Sequence, residues 1–242
     1  MIQIFENTQL LTEAAAALFV DTAKKAIAER GKFTVALTGG SSPIALHKLL
    51  ASAAYRELID WQKVFVFWGD ERWVPFEDER SNTTMAFETL LNHVPIPKEQ
   101  IYAMYSETAT PVEYATQYEE TIKAVVGEDG SFDLILLGMG DDGHTASLFP
   151  HTAVLHEDKK WVDAYYLEPQ SMYRITLTAP LINKAKNIAV LTFGEKKTNA
   201  LYEVLEGARN VEEYPSQLLN PINGTLVFLT DKVAASKLNI SK

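Results

Sequence analysis

The chain has 242 residues, of which 47% are hydrophobic and 22% charged, a composition that supports a sizeable core and excludes a disordered segment, a collagen-like repeat or a disulfide miniprotein. Lys and Arg total 22 against 32 Asp and Glu, and the net charge of −10 argues against nucleic acid or an anionic membrane as partner. Cysteine is absent, which removes disulfides, thiol nucleophiles and Cys-ligated zinc.

The N-terminal stretch MIQIFENTQLLTEAAAALF has no basic residue ahead of its apolar run and carries Glu6 and Glu13, so it does not read as a signal peptide. No run approaches the ~20 apolar residues of a spanning helix, and the expectation is a cytoplasmic protein. Residues 10–29 are Ala-rich, free of Gly and Pro, and apolar at helical intervals, which predicts an amphipathic helix. FTVALT (33–38) is a nearly continuous apolar run ending at Gly39-Gly40, a buried strand and a tight turn. A helix over 43–53, a strand over 63–68, a helix over 82–93 with Ser81 as N-cap and a helix over 112–126 follow. FDLILLG (132–138) is the most apolar strand. Beyond Pro150 come strands around 161–166 and 174–178, NIAVLTF (187–193), a helix over 195–206, TLVFLT (225–230) and a C-terminal helix. Apolar strands alternating with helices predict a doubly wound α/β fold, a mostly parallel sheet with helices on both faces. With no linker, repeat or low-complexity segment, residues 1–242 read as one domain.

Ligands in such sheets bind beyond the carboxyl ends of the strands, so the residues after each strand carry the functional reading. After the first long strand, Thr38-Gly39-Gly40-Ser41-Ser42-Pro43 opens a helix. Glycines let the backbone approach a ligand, hydroxyls donate, and free N–H groups favour an anion: either a phosphate cradle or an ordinary Gly-Gly turn with a capping Ser. After the second comes Gly69-Asp70-Glu71-Arg72-Trp73, with charges at the ligand edge, and Ser81-Asn82 downstream suits a helix cap. After 132–137 comes Gly138-Met139-Gly140-Asp141-Asp142-Gly143-His144. Its G-x-G-x-x-G does not suit a dinucleotide: Asp141 and Asp142 would meet the pyrophosphate, and Pro150 cuts short the supporting helix. It does place a carboxylate two residues before a histidine, which makes His144 a candidate general base with Asp142 as its partner. His47, His93, His151 and His156 show no metal-ligand spacing, and no G-x-S-x-G elbow is present. Arg174 and Lys197 are cations near strand ends that could gather beside the Gly39-Gly40 turn as a local positive pocket for a phosphorylated substrate.

In order, T-G-G-S-S-P, G-D-E-R-W-V-P with S-N about ten residues on, G-M-G-D-D-G-H-T-A-S-L-F-P, R-I-T-L-T and G-E-K-K closely resemble the 6-phosphogluconolactonase family over essentially the whole chain. In the related glucosamine-6-phosphate deaminases the Asp-Gly-His is followed by a stretch ending Asn-Glu-Pro, whose Glu is catalytic. Leu148-Phe149-Pro150 stands in that place here, which argues for the lactonase branch. Thr38 stands where the family often has Ser, keeping a hydroxyl. The resemblance implies hydrolysis of 6-phospho-D-glucono-1,5-lactone without cofactor or metal. It implies His144 as base, Asp142 assisting it and Arg72 near the lactone. It further implies Gly39, Gly40, Ser41, Ser42, Arg174 and Lys197 around the phosphate, and Asp70 and Asn82 positioning the substrate. A monomer or weak homodimer is expected. The alternatives are a sugar-phosphate isomerase or deaminase on the same fold, and a catalytically silent sugar-phosphate sensor.

Overall fold

The computed structural model describes residues 1–239. The elements run β1 (Ile2–Phe5), α1 (Thr8–Arg30), β2 (Phe33–Leu37), α2 (Ile44–Ala51), α3 (Ala53–Arg56), β3 (Val64–Trp68), β4 (Asp70–Arg72) and α4 (Asn82–Thr89). There follow α5 (Pro111–Val125), β5 (Leu134–Gly138), β6 (Val162–Leu167), β7 (Met172–Leu177), α6 (Ala179–Ile182), β8 (Asn187–Thr192), α7 (Thr198–Leu205) and β9 (Thr225–Asp231). Local chemistry accounts for the helix ends. Asn7 accepts from the Leu10 N–H at the start of α1, and Gly31 closes its other end in the left-handed region. Ser81 caps α4, as its sequence predicts, and Thr110 and Glu113 form a reciprocal capping box on α5.

Six strands pair in parallel in the order β1-β9-β8-β5-β2-β3. Every residue of β2 is buried, as are the first four of β5, so these central strands are covered on both faces, which is what a continuous apolar run requires. From β2 the chain steps to β3 on one side, and later to β5 on the other, so the strand order reverses between β2 and β5. A doubly wound sheet leaves its ligand crevice at that point. No helix among the described residues is long and apolar enough to cross a membrane.

The sequence does not predict a second sheet, and the structure has one: three antiparallel strands, β4-β7-β6. Gly69 passes the chain from one sheet to the other, donating to Leu37 O at 2.8 Å while its own carbonyl accepts from Leu177 N at 2.8 Å. The charged run after β3 is therefore partly a strand, because pairing with β7 overrides the weak strand propensity of Asp-Glu-Arg. Edge strand β1 is also additional, drawn into place by β9. The helix expected after the last strand is absent: residues 232–237 form turns, and 240–242 lie outside the described residues. The helix expected over 82–93 stops at Thr89 in a 3-10 turn, and the one over 195–206 begins with one.

Candidate active site

The cleft opens at the strand reversal. It is lined by Thr38 to Ser42 after β2, Asp70 and Arg72 of β4, Asn82 of α4, Gly138 to Gly140 and His144 after β5, Arg174 of β7, and Lys197. Every residue singled out as a site candidate from the sequence borders it except Asp142, which stands directly behind His144.

The acid–base end is built by one short loop. Asp142 Oδ1 lies 2.5 Å from His144 Nδ1 and also accepts the His144 backbone N–H at 3.1 Å. Burial pushes the Asp142 carboxyl up, but hydrogen bonding and attraction to His144 outweigh it and hold the group below the usual carboxylate range. An ionised acceptor there assigns the proton to Nδ1 and leaves the Nε2 lone pair free. Gly140 is needed for close approach: a Cβ at this position would come within 2.0 Å of His144 Nδ1 and 2.4 Å of Asp142 Oδ1. The second glycine of the dinucleotide-like pattern thus makes room for the imidazole. Ala146, which lines the cleft, has φ +48, a conformation costly for a residue with a side chain and one that clusters at functional sites.

The middle of the cleft is a buried charge network. Asp70 Oδ2 accepts from Arg174 Nη2 at 2.7 Å and Ser147 Oγ at 2.6 Å, while Arg174 Nε donates to Ser147 Oγ at 2.8 Å. Burial raises the Asp70 carboxyl, yet Arg174, Arg72 and the Ser147 hydroxyl together hold it below its ordinary value. Arg72 faces Arg174 across the β4–β7 ladder, a like-charge pair that Asp70 offsets. Burial lowers the Arg72 guanidinium, Asp70 raises it and Arg174 lowers it again, with a net fall. Arg72 Nη1 donates to Arg80 O at 2.8 Å, but Nε is buried with no partner among the described residues. Asn82 is similar: Nδ2 donates to Asp70 O at 3.0 Å, whereas Oδ1 is buried and unpaired among the described residues. A buried donor and a buried acceptor without partners among the described residues lie in the wall of this cleft, where such orphaned groups are uncommon.

At the far end, Gly39 to Ser42 lead into α2. A Cβ on Gly39 would collide with the Asn82 side chain at 1.9 Å, so the glycine is what lets the two walls meet. Lys197 Nζ reaches Asp141 Oδ1 at 2.6 Å. Sequence reasoning placed Arg174 and Lys197 as cations beside the turn, and both do line the cleft, but neither is free: Arg174 is buried and engaged through three nitrogens, and Lys197 already holds a carboxylate.

Glu71 escaped the sequence reading. It is fully buried and accepts from the backbone N–H groups of Arg72, Asn82 and Thr83 at 2.8, 2.8 and 2.7 Å, clamping the start of α4 and with it Asn82. Burial raises its carboxyl, and these N–H groups oppose the rise without cancelling it. Its neighbours Asp70 and Arg72 look much the same in sequence; only alternation along β4 sends them to the cleft and Glu71 away from it. Among the described residues no group of three or more potential metal-ligating side chains converges.

Fold and cleft together define a doubly wound α/β protein with a His–Asp pair and a Gly-Gly-Ser-Ser turn at its strand reversal. Comparison with known proteins is specific. The profile of the family described as glucosamine-6-phosphate isomerases/6-phosphogluconolactonase matches residues 6–228, and the chain belongs to that family. It is 39% identical over 241 residues to a 6-phosphogluconolactonase of Synechocystis sp., covering 98% of both chains. It is 34% identical over 243 residues to one of Nostoc sp., covering 99% of this chain and 98% of that one. Among solved structures, the 6-phosphogluconolactonase of Trypanosoma brucei superposes with a TM-score of 0.85 at 28% identity, over 98% of each chain.

Proposed function

We propose that the protein is a 6-phosphogluconolactonase, hydrolysing 6-phospho-D-glucono-1,5-lactone to 6-phosphogluconate, the second step of the oxidative pentose phosphate pathway. The observation that carries this reading is the 2.5 Å contact between Asp142 and His144 Nδ1, which leaves Nε2 as a base in a cleft whose opposite end suits a phosphate. His144 Nε2 takes a proton from water, and the hydroxide attacks the lactone carbonyl carbon. Arg72 lines the cleft, and its guanidinium charge opposes the negative charge developing on the carbonyl oxygen. The tetrahedral intermediate then breaks its bond to the ring oxygen, and the proton on His144 passes to that oxygen, completing the balance of lactone plus water to hydroxy acid. Gly39 to Ser42 and Lys197 receive the phosphate, with the buried Arg174 adding positive charge to the cleft wall, and Asp70 and Asn82 position the groups around the sugar.

An isomerase or deaminase would need a further acid–base group beside the base, and Phe149, stacked on His144, occupies that neighbourhood. A silent sensor would have no use for the aligned pair. We also take the working unit to be a monomer or weak homodimer. The test uses freshly generated lactone, with spontaneous hydrolysis subtracted. Acceleration by the protein, undiminished by exhaustive chelation, is expected, with no ammonia release from glucosamine 6-phosphate. Substantial deaminase turnover, or lactone loss at the background rate, would overturn the assignment.

A further inference from the structure

The hydrogen bond from Asp142 fixes one atom of the His144 ring. It leaves the ring free to swing about that contact, so the direction of the Nε2 lone pair is not set by Asp142 alone. The plane is set by Phe149. Its ring stacks on the imidazole at a centroid separation of 4.0 Å and an interplanar angle of 24°. Phe149 borders a neighbouring depression and is not part of the lining of the substrate cleft, so it meets His144 from outside that cleft.

Phe149 is itself held. Only 9% exposed, it precedes Pro150, and its carbonyl accepts from Thr152 Oγ1 at 2.6 Å. The Arg174 guanidinium lies 5.5 Å from its ring centroid. Arg174 is anchored in turn by Asp70, Ser147 and Gln170. A continuous line of contacts therefore runs from Asp70 through Arg174 and Phe149 to His144. An aromatic face also favours a cationic partner, so the ring stabilises the imidazolium that forms when His144 takes the proton from water. We propose that Phe149 is a positioning residue for the base: its ring fixes the plane of the His144 imidazole and supports its protonated form, without touching the substrate.

This inference rests on the lactonase reading, and the experiment separates the two. In the wild-type protein the His144 ring protons, assigned by their loss in His144→Ala, should resonate upfield through the Phe149 ring current, and return toward ordinary positions in Phe149→Leu. With fresh lactone, Phe149→Leu should lower kcat by about tenfold, the scale of a lost aromatic contact of ~1.4 kcal/mol, with KM within about twofold of wild type. Phe149→Tyr, which keeps the ring, should restore kcat. Unshifted ring protons in the wild type would overturn the proposal even if Phe149→Leu failed to fold. Unchanged kcat in folded Phe149→Leu, or a loss confined to KM, would overturn it while leaving the lactonase assignment standing. A wild-type protein without lactonase activity would bring down both.

Discussion

The two ends of the parallel sheet each bury an aspartate against arginine, yet one is closed and the other open. At the amino end, Asp133 accepts from Arg30 at 2.6 Å, Lys186 at 2.9 Å and the Thr34 backbone N–H at 3.0 Å, and the Thr34 hydroxyl completes the set. At the carboxyl end, Asp70 holds Arg174 equally closely, but Arg72 Nε and Asn82 Oδ1 nearby have no partner among the described residues. A buried ion pair alone therefore says little about function. What distinguishes the carboxyl end is polar capacity left unspent in the wall of a cleft, a condition that costs stability.

The largest effect that would test this contrast is at the open end. His144→Ala should lower kcat by ~10²-fold or more, with the melting temperature little changed because the side chain is partly exposed, as steady-state kinetics and thermal unfolding would show. Activity close to wild type would mean that the open end has been misread.

A second test concerns the helix that leaves the cradle. His47, in α2, is fully buried, with Nδ1 2.9 Å from Thr89 Oγ1 and Nε2 unpaired among the described residues. Burial lowers its pKa to about 4. The folded state thus disfavours the proton that the unfolded state accepts near 6.5. The contribution to stability is complete above pH 6.5, declines as pH falls toward 4, and amounts to about 3 kcal/mol across that window. Denaturant titrations should show His47→Leu losing this part of the acid sensitivity; an unaltered pH slope would contradict it.

At the closed end, Asp133→Ala should cost about 2 kcal/mol of stability, since it strands the buried Thr34 N–H while Arg30 and Lys186 turn to water. The folded fraction should keep wild-type kcat and KM. A kinetic defect there would dissolve the distinction between the two ends.

The smallest effects lie at the mouth of the cleft. Lys197→Ala should raise KM for the lactone by about tenfold, the loss expected of one charged hydrogen bond. Asp141, half exposed, competes for Lys197 in the absence of ligand, so Asp141→Asn should tighten competitive inhibition by inorganic phosphate by roughly threefold, in keeping with an exposed ion pair. Weaker inhibition in Asp141→Asn would instead make Asp141 a support for Lys197.

Much of the candidate site was legible because its contacts are local. Asp142 and His144 are two residues apart, Gly39 to Ser42 are contiguous, and both groups follow apolar runs that could only be central strands. The roles of Glu71 and Phe149 were not legible. Glu71 carries the same kind of charge as Asp70, and only the pleat of a strand that the sequence did not reveal sends it to the start of α4. Phe149 reads as the last apolar residue before a proline, and only the tertiary structure shows that its ring stacks on His144.

What the sequence determined by itself was the alternation of buried strands and helices, and hence a parallel doubly wound sheet with its ligand edge at the strand termini. Burial patterns and turn chemistry act over a few residues, and a single chain displays them openly. The tertiary structure decided which polar groups are spent on one another. Asp70 finds Arg174 across 104 positions, Arg30 finds Asp133 across 103, and the N-terminal amine reaches Leu226 O across 225. Pairings at such separations leave no periodicity in the sequence, because they depend on how strands are ordered and registered. The same holds for β1 and β4, which exist as strands only because β9 and β7 lie beside them.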